Sequence, residues 1–167
     1  MSASLEEWVK YLQLEPHPEG GWYREVYRAS ETIARNALPE RFSGDRAFAT
    51  SIYYLLGPGD FSALHRINQD EVWHWYDGAG LSVEVMAPDG GRQTHKLGRD
   101  VAAGERPMAV VPAGSWFGAR VADEASYTLA GCTVSPGFDF ADFDMPSRLD
   151  LLQRFPQHRE FITRFTR

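Results

Sequence analysis

The chain has 167 residues and a formal net charge of −6, and 43% of its residues are hydrophobic and 13% aromatic. This length predicts one domain, and the many aromatic side chains exclude an intrinsically disordered chain. The acidic balance disfavours binding to nucleic acid and to anionic membrane surfaces, because both need a basic footprint. The single cysteine, Cys132, cannot form a disulfide within the chain, and the N-terminus lacks the features of a secretory signal, so we expect a cytoplasmic protein.

The N-terminal part of the chain predicts one short helix and one strand. Ser4 and Glu7 are spaced as a capping box, and apolar residues at helical spacing follow over residues 5–12. A segment rich in proline and glycine, residues 16–21, ends this helix. Within it, His17 and Glu19 either cap the turn or belong to a site. The ring-rich Trp22–Ala29 predicts a strand, and the polar residues 30–45 predict a long loop.

From residue 47 to residue 134, short apolar or alternating runs are separated by turn residues. This spacing is typical of an all-β sandwich or barrel. Helical patterns between the runs are absent, which argues against a doubly wound α/β fold. The predicted strands cover residues 48–56, 62–67, 71–76, 81–86, 93–97, 108–111, 115–121 and 126–134.

The C-terminal part predicts a loop followed by short helices. The loop covers residues 135–146 and alternates phenylalanine with aspartate. Ser147 has the character of a helix N-cap, and Pro156 breaks the helix that follows or starts another. We therefore predict one domain over residues 1–167, with a β core at about 22–134 and a helical extension at about 147–165.

One pair of residues carries chemical information. His65 and Glu71 are separated by five residues and are bracketed by glycines at positions 59 and 78, and a Pro-Ala-Gly segment follows at 112–114. This arrangement resembles the two motifs of the cupin superfamily. The resemblance implies two further histidines for a metal site, but the matching positions here hold Ile67 and Phe117.

Further segments resemble one branch of that superfamily, the Cupin 5 family of uncharacterised RmlC-like proteins. They extend from about residue 5 to residue 165 and include 16–21, 51–56, 65–66, 70–74, 111–114 and 136–138. The resemblance implies an all-β double-stranded β-helix, or jelly roll, with short flanking α-helices at both ends. It also implies a homodimer, in which Trp22–Ala29 could extend a partner's sheet. It supplies no reaction.

The candidate metal ligands are His65, Glu71 and His74. Side chains alternate along a strand, so Glu71 and His74 are expected on opposite faces unless a bulge intervenes. Two protein ligands rarely hold a first-row metal tightly, and we therefore expect no cofactor. A divalent transition metal is the alternative.

The interpretation that the residues favour is a metal-free pocket. His65 and Glu71 are its candidate catalytic residues, and burial would lower the pKa of His65 and raise that of Glu71. The predicted ligand-binding wall, mostly apolar with one cationic group, consists of Ile67, Trp73, Trp75, Phe117 and Arg24.

Three functions and one structural role fit these residues. The first function is a metal-independent isomerase or epimerase acting on a sugar-like or carbonyl compound, with His65 as base and Glu71 as its orienting partner or as acid. The second is a module that binds or senses a small ligand, anionic or aromatic, without turnover. The third is a metal-dependent oxygenase or hydrolase. The structural alternative is that His65 and Glu71 are a buried pair holding two strands in register.

Overall fold

The computed structural model describes residues 3–167. Helix α1 spans Leu5–Tyr11, and helices α2 (Arg148–Arg154) and α3 (Arg159–Arg164) lie near the C-terminus. The strands between them are β1 (Glu15–Pro16), β2 (Trp22–Arg28), β3 (Thr32–Ile33), β4 (Arg46–Ala47), β5 (Thr50–Leu56), β6 (Phe61–His65), β7 (Asp70–Gly78), β8 (Leu81–Met86), β9 (Arg92–Leu97), β10 (Met108–Val111), β11 (Trp116–Val121) and β12 (Thr128–Ser135).

The strands build two antiparallel sheets around one core, which confirms the all-β prediction. The larger sheet has the order β1-β2-β5-β12-β7-β10, and the smaller one has the order β6-β11-β8-β9. Strands β3 and β4 form a separate pair. One cluster of buried side chains from both sheets, including Tyr54 and Trp73 of the larger and Val83 and Phe117 of the smaller, fills the space between them.

The helices cover the outside of the barrel. Helices α2 and α3 pack through Leu151, Phe161 and Ile162 against the outer side of the smaller sheet, where Trp116 is buried. Helix α1 packs against Leu55 and Leu129 of the larger sheet. The flanking helices thereby bury apolar side chains that alternate with those of the core.

The local signals at the helix ends are confirmed. Ser4 and Glu7 form both hydrogen bonds of a capping box at the start of α1, and Ser147 and Asp150 do the same at α2. Pro156 begins a short 3₁₀ turn, Pro156–His158. The predicted loop at 30–45 differs from the structure, because it contains β3 and a second 3₁₀ turn, Arg35–Ala37. Strand β3 pairs with β4 just beyond that loop, which no local pattern indicates.

Strand β2 lies near the edge of the larger sheet. It pairs with β5 along its length, whereas β1 covers only Trp22 and Tyr23 on its other side. In residues 3–167 the rest of that edge has no strand neighbour. The homodimer itself stays a prediction, as does the cytoplasmic location. No helix in this part of the chain is long and apolar enough to span a membrane.

Candidate functional site

A cavity of about 290 Å³ opens between the inner face of the larger sheet and the end of β6. Its volume suits a small molecule. The wall combines aromatic rings (Tyr23, Tyr54, Phe138, Phe140 and Phe143) with carboxyl groups (Glu15, Glu19, Glu25, Glu71 and Asp139) and two imidazoles (His17 and His65). Acid–base groups and ring surfaces therefore face the same small space.

His65, the last residue of β6, is almost fully buried at this cavity. Its Nδ1 donates a hydrogen bond to the Ala63 carbonyl oxygen at 2.7 Å, which leaves Nε2 as the unprotonated nitrogen of the neutral ring. Burial lowers the pKa of His65 to about 4, although the bond to Ala63 acts in the opposite direction. The imidazole is therefore a neutral base at physiological pH.

The carboxyl partner of His65 is Glu19, not Glu71. Glu19 Oε2 lies 3.0 Å from His65 Nε2, and Ser62 Oγ donates a hydrogen bond to Glu19 Oε1 at 2.9 Å. Because Nδ1 already holds a hydrogen, the bond between Nε2 and Oε2 needs one more proton. Burial raises the pKa of Glu19 and lowers that of His65 to about 4, and both shifts favour the proton on the carboxyl side of this hydrogen bond. The prediction that His65 pairs with Glu71 is therefore wrong, because the carboxyl group bonded to His65 is that of Glu19.

Two glycines allow the turn that carries Glu19 to lie close against β6. Gly20 and Gly21 have φ values of +114° and +70°, which L side chains rarely adopt. A Cβ at Gly20 would overlap the Phe61 carbonyl oxygen. The Glu19 carbonyl accepts hydrogen bonds from the Ala63 amide at 2.8 Å and from Arg167 Nη1 at 2.7 Å. This close approach explains why a turn residue reaches the barrel interior.

His17, on the same turn, joins this group. Its Nδ1 lies 3.4 Å from Glu19 Oε2, and its ring meets the Tyr23 ring edge-on at 4.5 Å. Burial lowers the pKa of His17, while Glu19 acts to raise it. Two imidazoles therefore flank one buried carboxyl group, and the site alternative for His17 and Glu19 is the one that their positions support.

Glu71, near the start of β7, is the second buried carboxyl group on the cavity wall. Burial raises its pKa to about 8, and the nearby Glu19 contributes to the increase. Its hydrogen-bond partner is the thiol of Cys132 on β12, which acts weakly in the opposite direction. Glu71 is therefore a neutral acid at pH 7, as the effect of burial predicts.

Residues 138–143 cover the cavity with aromatic rings, and we call this segment the lid. The Phe143 ring stacks on His65 with centroids 5.3 Å apart. The lid is held by a buried ion pair in which Arg46 Nη2 lies 2.6 Å from Asp142 Oδ1. Gln69 also donates to Asp142, at 2.7 Å. The sequence predicts a loop here but does not indicate that the loop covers a cavity.

Of the predicted wall residues, only Ile67 lines the cavity with its own surface. Trp73 points inward, as alternation predicts, but lies deeper in the core against Tyr54 and Phe117. Trp75 lies further along β7, where its Nε1 donates to the Ala79 carbonyl at 3.2 Å. The prediction that both tryptophans line the pocket is therefore wrong, because large side chains fill that end of the barrel.

Phe117 and Arg24 are also absent from the cavity lining. Phe117 lies opposite His65 in the sheet and packs behind its ring at 4.1 Å. It therefore supports His65 rather than a ligand. Arg24 is exposed, and its Nη1 donates to Gln13 Oε1 at 2.6 Å. Arg24 faces outward with the exposed side of β2, so the structure does not place it in the predicted ligand-binding wall.

The residues at the cupin metal positions do not fit a metal centre. Ile67 and Phe117 offer no donor atom, and His65 Nε2 is bonded to Glu19. His74 lies on the opposite face of β7 from Glu71, where its ring is parallel to that of Tyr76. A register shift does interrupt β7, but it follows Trp75 and does not change this relation. Within residues 3–167, no group of three or more His, Cys, Asp or Glu side chains is arranged so that it could hold a metal ion.

We expect the purified protein to hold much less than one equivalent of manganese, iron or zinc. An ion that bound the folded protein would raise its melting temperature by mass action. Because we expect no such binding, added metal should leave the melting temperature unchanged. Elemental analysis together with thermal unfolding, with and without each metal, checks this. A stoichiometric metal, or a melting temperature that rises with one ion and falls on chelation, would contradict it.

Solved structures of high similarity exist for this fold. A protein of Shewanella oneidensis, SO0799, is 37% identical with a TM-score of 0.90, and the match covers 99% of both chains. A hypothetical protein from Leishmania major is 35% identical with a TM-score of 0.90, over 98% of this chain and 99% of that one. Oxalate decarboxylase from Bacillus subtilis, 16% identical with a TM-score of 0.56 over 90% of this chain and 36% of its own, shares the jelly-roll fold.

Comparison of sequences agrees with these structures. The uncharacterized protein YML079W of Saccharomyces cerevisiae is 29% identical over 148 residues, which are 84% of this chain and 74% of that protein. The model of the Cupin_5 family, described as cupin superfamily (DUF985), matches residues 6–146. The resemblance seen in the motifs is thereby confirmed, and the chain belongs to the Cupin_5 family of the cupin superfamily.

Proposed function

We propose that this protein is a metal-independent isomerase- or epimerase-like enzyme that moves a proton on a small carbonyl or sugar-like compound. One observation supports this most directly. Two buried groups on one cavity wall have oppositely shifted pKa values, about 4 for His65 and about 8 for Glu71. Near pH 7 the imidazole is unprotonated and the carboxyl is protonated, which are the states that a base and an acid need.

In this proposal the base is the Glu19–His65 pair rather than His65 alone. At rest the pair holds one proton between Glu19 Oε2 and His65 Nε2, which are 3.0 Å apart. When a Glu19 oxygen takes a proton from the carbon next to the carbonyl, the shared proton moves to His65 Nε2, and the pair becomes a carboxylic acid beside an imidazolium. The electrons of the broken C–H bond form a C=C bond, and those of the carbonyl π bond move to its oxygen.

Glu71 supplies the complementary proton. It donates this proton to the carbonyl oxygen, so that the intermediate is a neutral enol and Glu71 becomes a carboxylate. Delivery of a proton to the opposite face of that carbon gives the epimer, and delivery to the neighbouring carbon of an enediol gives the isomer. In both cases the enol oxygen returns its proton to Glu71, which restores both groups. The aromatic lid keeps water from the enol, and the Ala63 carbonyl keeps His65 in the tautomer that the pair requires.

Deuterium exchange from solvent tests this proposal without knowledge of the product. In heavy water, NMR would follow loss of the proton next to the carbonyl in aldoses, ketoses, amino sugars and hydroxyketones. We expect exchange with at least one of them. Exchange should fall roughly 10²–10⁴-fold in Glu71→Gln and in Glu19→Gln, the usual contribution of a positioned acid or base.

The matched control is Glu84→Gln. Glu84 accepts hydrogen bonds from Arg92 and Thr94 outside the cavity, so exchange should be unchanged. Failure of the whole compound set to exchange, or equal rates in wild type and both cavity variants, would reject the enzymatic proposal.

A binding or sensing module is the second candidate, and one observation favours it. Both ring nitrogens of His65 already have hydrogen-bond partners in the protein. If the protein only binds its ligand, the ligand should raise the melting temperature of the protein, and the protons of the ligand should not exchange with solvent. The same deuterium experiment, read beside thermal unfolding, separates the two candidates.

A further inference from the structure

We propose that the natural ligand of this cavity carries a positive charge, as an amine or a quaternary ammonium group. The inference rests on the proposed function only in using the same cavity. It begins from the charges on the wall, where five carboxyl groups face one guanidinium, that of Arg28. Even with the buried Glu19 and Glu71 protonated, the three carboxylates near the opening outnumber Arg28.

Arg28 already has a partner for its charge, in an ion pair whose side chains are 46% and 38% exposed. Its Nε and Nη2 donate to the two carboxylate oxygens of Glu25 at 2.9 and 2.8 Å, and Nη2 also donates to the Phe138 carbonyl at 3.1 Å. This bidentate pair neutralises the charge of Arg28 locally. An anionic ligand would have to compete with Glu25 for this guanidinium, whereas a cation would meet the carboxylates without such competition.

The rings of the wall favour a cation as well. Tyr23, Phe138 and Phe143 lie around the cavity, and the His17 ring contacts those of Tyr23 and Phe143 at 4.5 and 6.2 Å. The faces of phenol and phenyl rings carry partial negative charge and attract cations, most strongly where water is excluded. The aromatic rings and the carboxyl groups of the wall therefore both favour a positively charged ligand.

Glu71 is the buried group that would pair with such a cation. The residue is 7% exposed and lines the cavity. Its hydrogen-bond partner within residues 3–167 is a thiol, which is a weak donor. The titratable groups around it are Cys132 from β12, His65 from β6, and Glu19 and His17 from the turn. Arg28, the guanidinium of the wall, is bonded to Glu25. A bound ammonium would therefore be the counter-charge of the Glu71 carboxylate, whether Glu71 gives its proton to solvent or to the carbonyl oxygen of a substrate.

Three molecules of nearly the same shape test the charge alone. They are choline, its uncharged analogue 3,3-dimethylbutan-1-ol and the anion 3,3-dimethylbutanoate. NMR titration of the intact protein would measure their dissociation constants. We expect choline to bind about tenfold or more tightly than the alcohol, and the anion to bind most weakly. Choline affinity should rise with pH towards 8, because binding would release the proton of Glu71.

Two variants connect the preference to the cavity. Glu71→Gln and Tyr23→Leu should each reduce choline affinity about tenfold and leave the alcohol unaffected, while Glu84→Gln should change neither. Equal binding of choline and the alcohol, tighter binding of the anion, or no binding of choline would overturn the proposal. Deuterium exchange of an uncharged sugar without cation preference would reject this inference alone. Cation preference without exchange in any compound would reject the enzymatic proposal alone.

Discussion

A Glu71→Gln variant should be more stable than the wild-type protein at pH 9. Glu71 has a pKa of about 8 in the folded chain, against a reference value of 4.5. Its proton is therefore bound more tightly in the folded state, and the folded state loses stability as pH rises from 4.5 towards 8. At 1.36 kcal/mol per pKa unit, the loss is on the order of 5 kcal/mol above pH 8.

Gln cannot ionise, so the variant escapes this loss. The wild type and the variant should differ little at pH 5, where Glu71 is protonated, and most at pH 9. The buried His65 has the opposite dependence, because its lowered pKa costs stability as pH falls from 6.5 towards 4. That contribution is present in both proteins and cancels in the comparison.

Urea unfolding at pH 5, 7 and 9 would measure the difference in the free energy of unfolding. The control is Glu84→Gln, which should show no gain that grows with pH. If the advantage of Glu71→Gln were the same at pH 5 and pH 9, the raised pKa of Glu71 would be refuted. If replacing the buried Glu71 by Gln stabilises the protein, then Glu71 serves function at a cost in stability.

The strands could be predicted from the sequence because their signals are local. Alternation along β8 places Leu81, Val83 and Val85 inside, and the structure buries all three. The same alternation correctly separates Glu71 from His74. It does not reveal depth, however. Trp73 shares the inward side of β7 with Glu71, yet it lies in solid core, because that end of the barrel is filled by other large side chains.

The partner of His65 could not be predicted in the same way. Glu19 and Ser62, which hydrogen-bond directly, are 43 positions apart, and their contact depends on how the turn at Gly20 and Gly21 packs on β6. A chemical signal was present: an imidazole and a carboxyl group lie in a turn between prolines and glycines. A polar turn is more often solvent-exposed, and local spacing alone does not distinguish the two situations.

The lid shows the same limit. Its phenylalanines are evident in the sequence, but their position over the cavity depends on Asp142, whose ion-pair partner Arg46 is 96 positions away. No periodicity connects residues so distant. The site therefore combines groups that strand patterns can locate, His65 and Glu71, with groups that only tertiary packing brings to them.

Arg46→Met should destabilise the protein by about 3–5 kcal/mol, because it leaves Asp142 charged and buried without its main partner. The Arg46 and Asp142 side chains are 4% and 1% exposed. Burial alone acts to raise the pKa of Asp142, but hydrogen bonds from Arg46, Gln69 and Asn68 outweigh it and lower the pKa. The stabilisation by Asp142 is therefore present above its unfolded pKa of 3.8 and is lost as pH falls through its lower folded value.

A half-exposed ion pair just after the lid supplies the control. Arg66 Nη2 lies 2.9 Å from Asp144 Oδ2, but these side chains are 37% and 45% exposed. Arg66→Met should therefore cost no more than about 1 kcal/mol, since water screens the pair. Similar losses in the two variants would contradict the assignment of Arg46 as the anchor of the lid.

The double variant Arg46→Met/Asp142→Leu separates the loss of the pair from the charge left behind. It should recover much of the stability, because the unpaired carboxylate is gone. Hydrogen exchange of residues 138–143 should be faster in Arg46→Met than in the wild type, and ligand binding in the cavity should weaken with it. The double variant could recover stability while residues 138–143 exchange as fast as in Arg46→Met. That result would mean that the ion pair, and not apolar packing of Phe138 and Phe143, keeps the cavity closed.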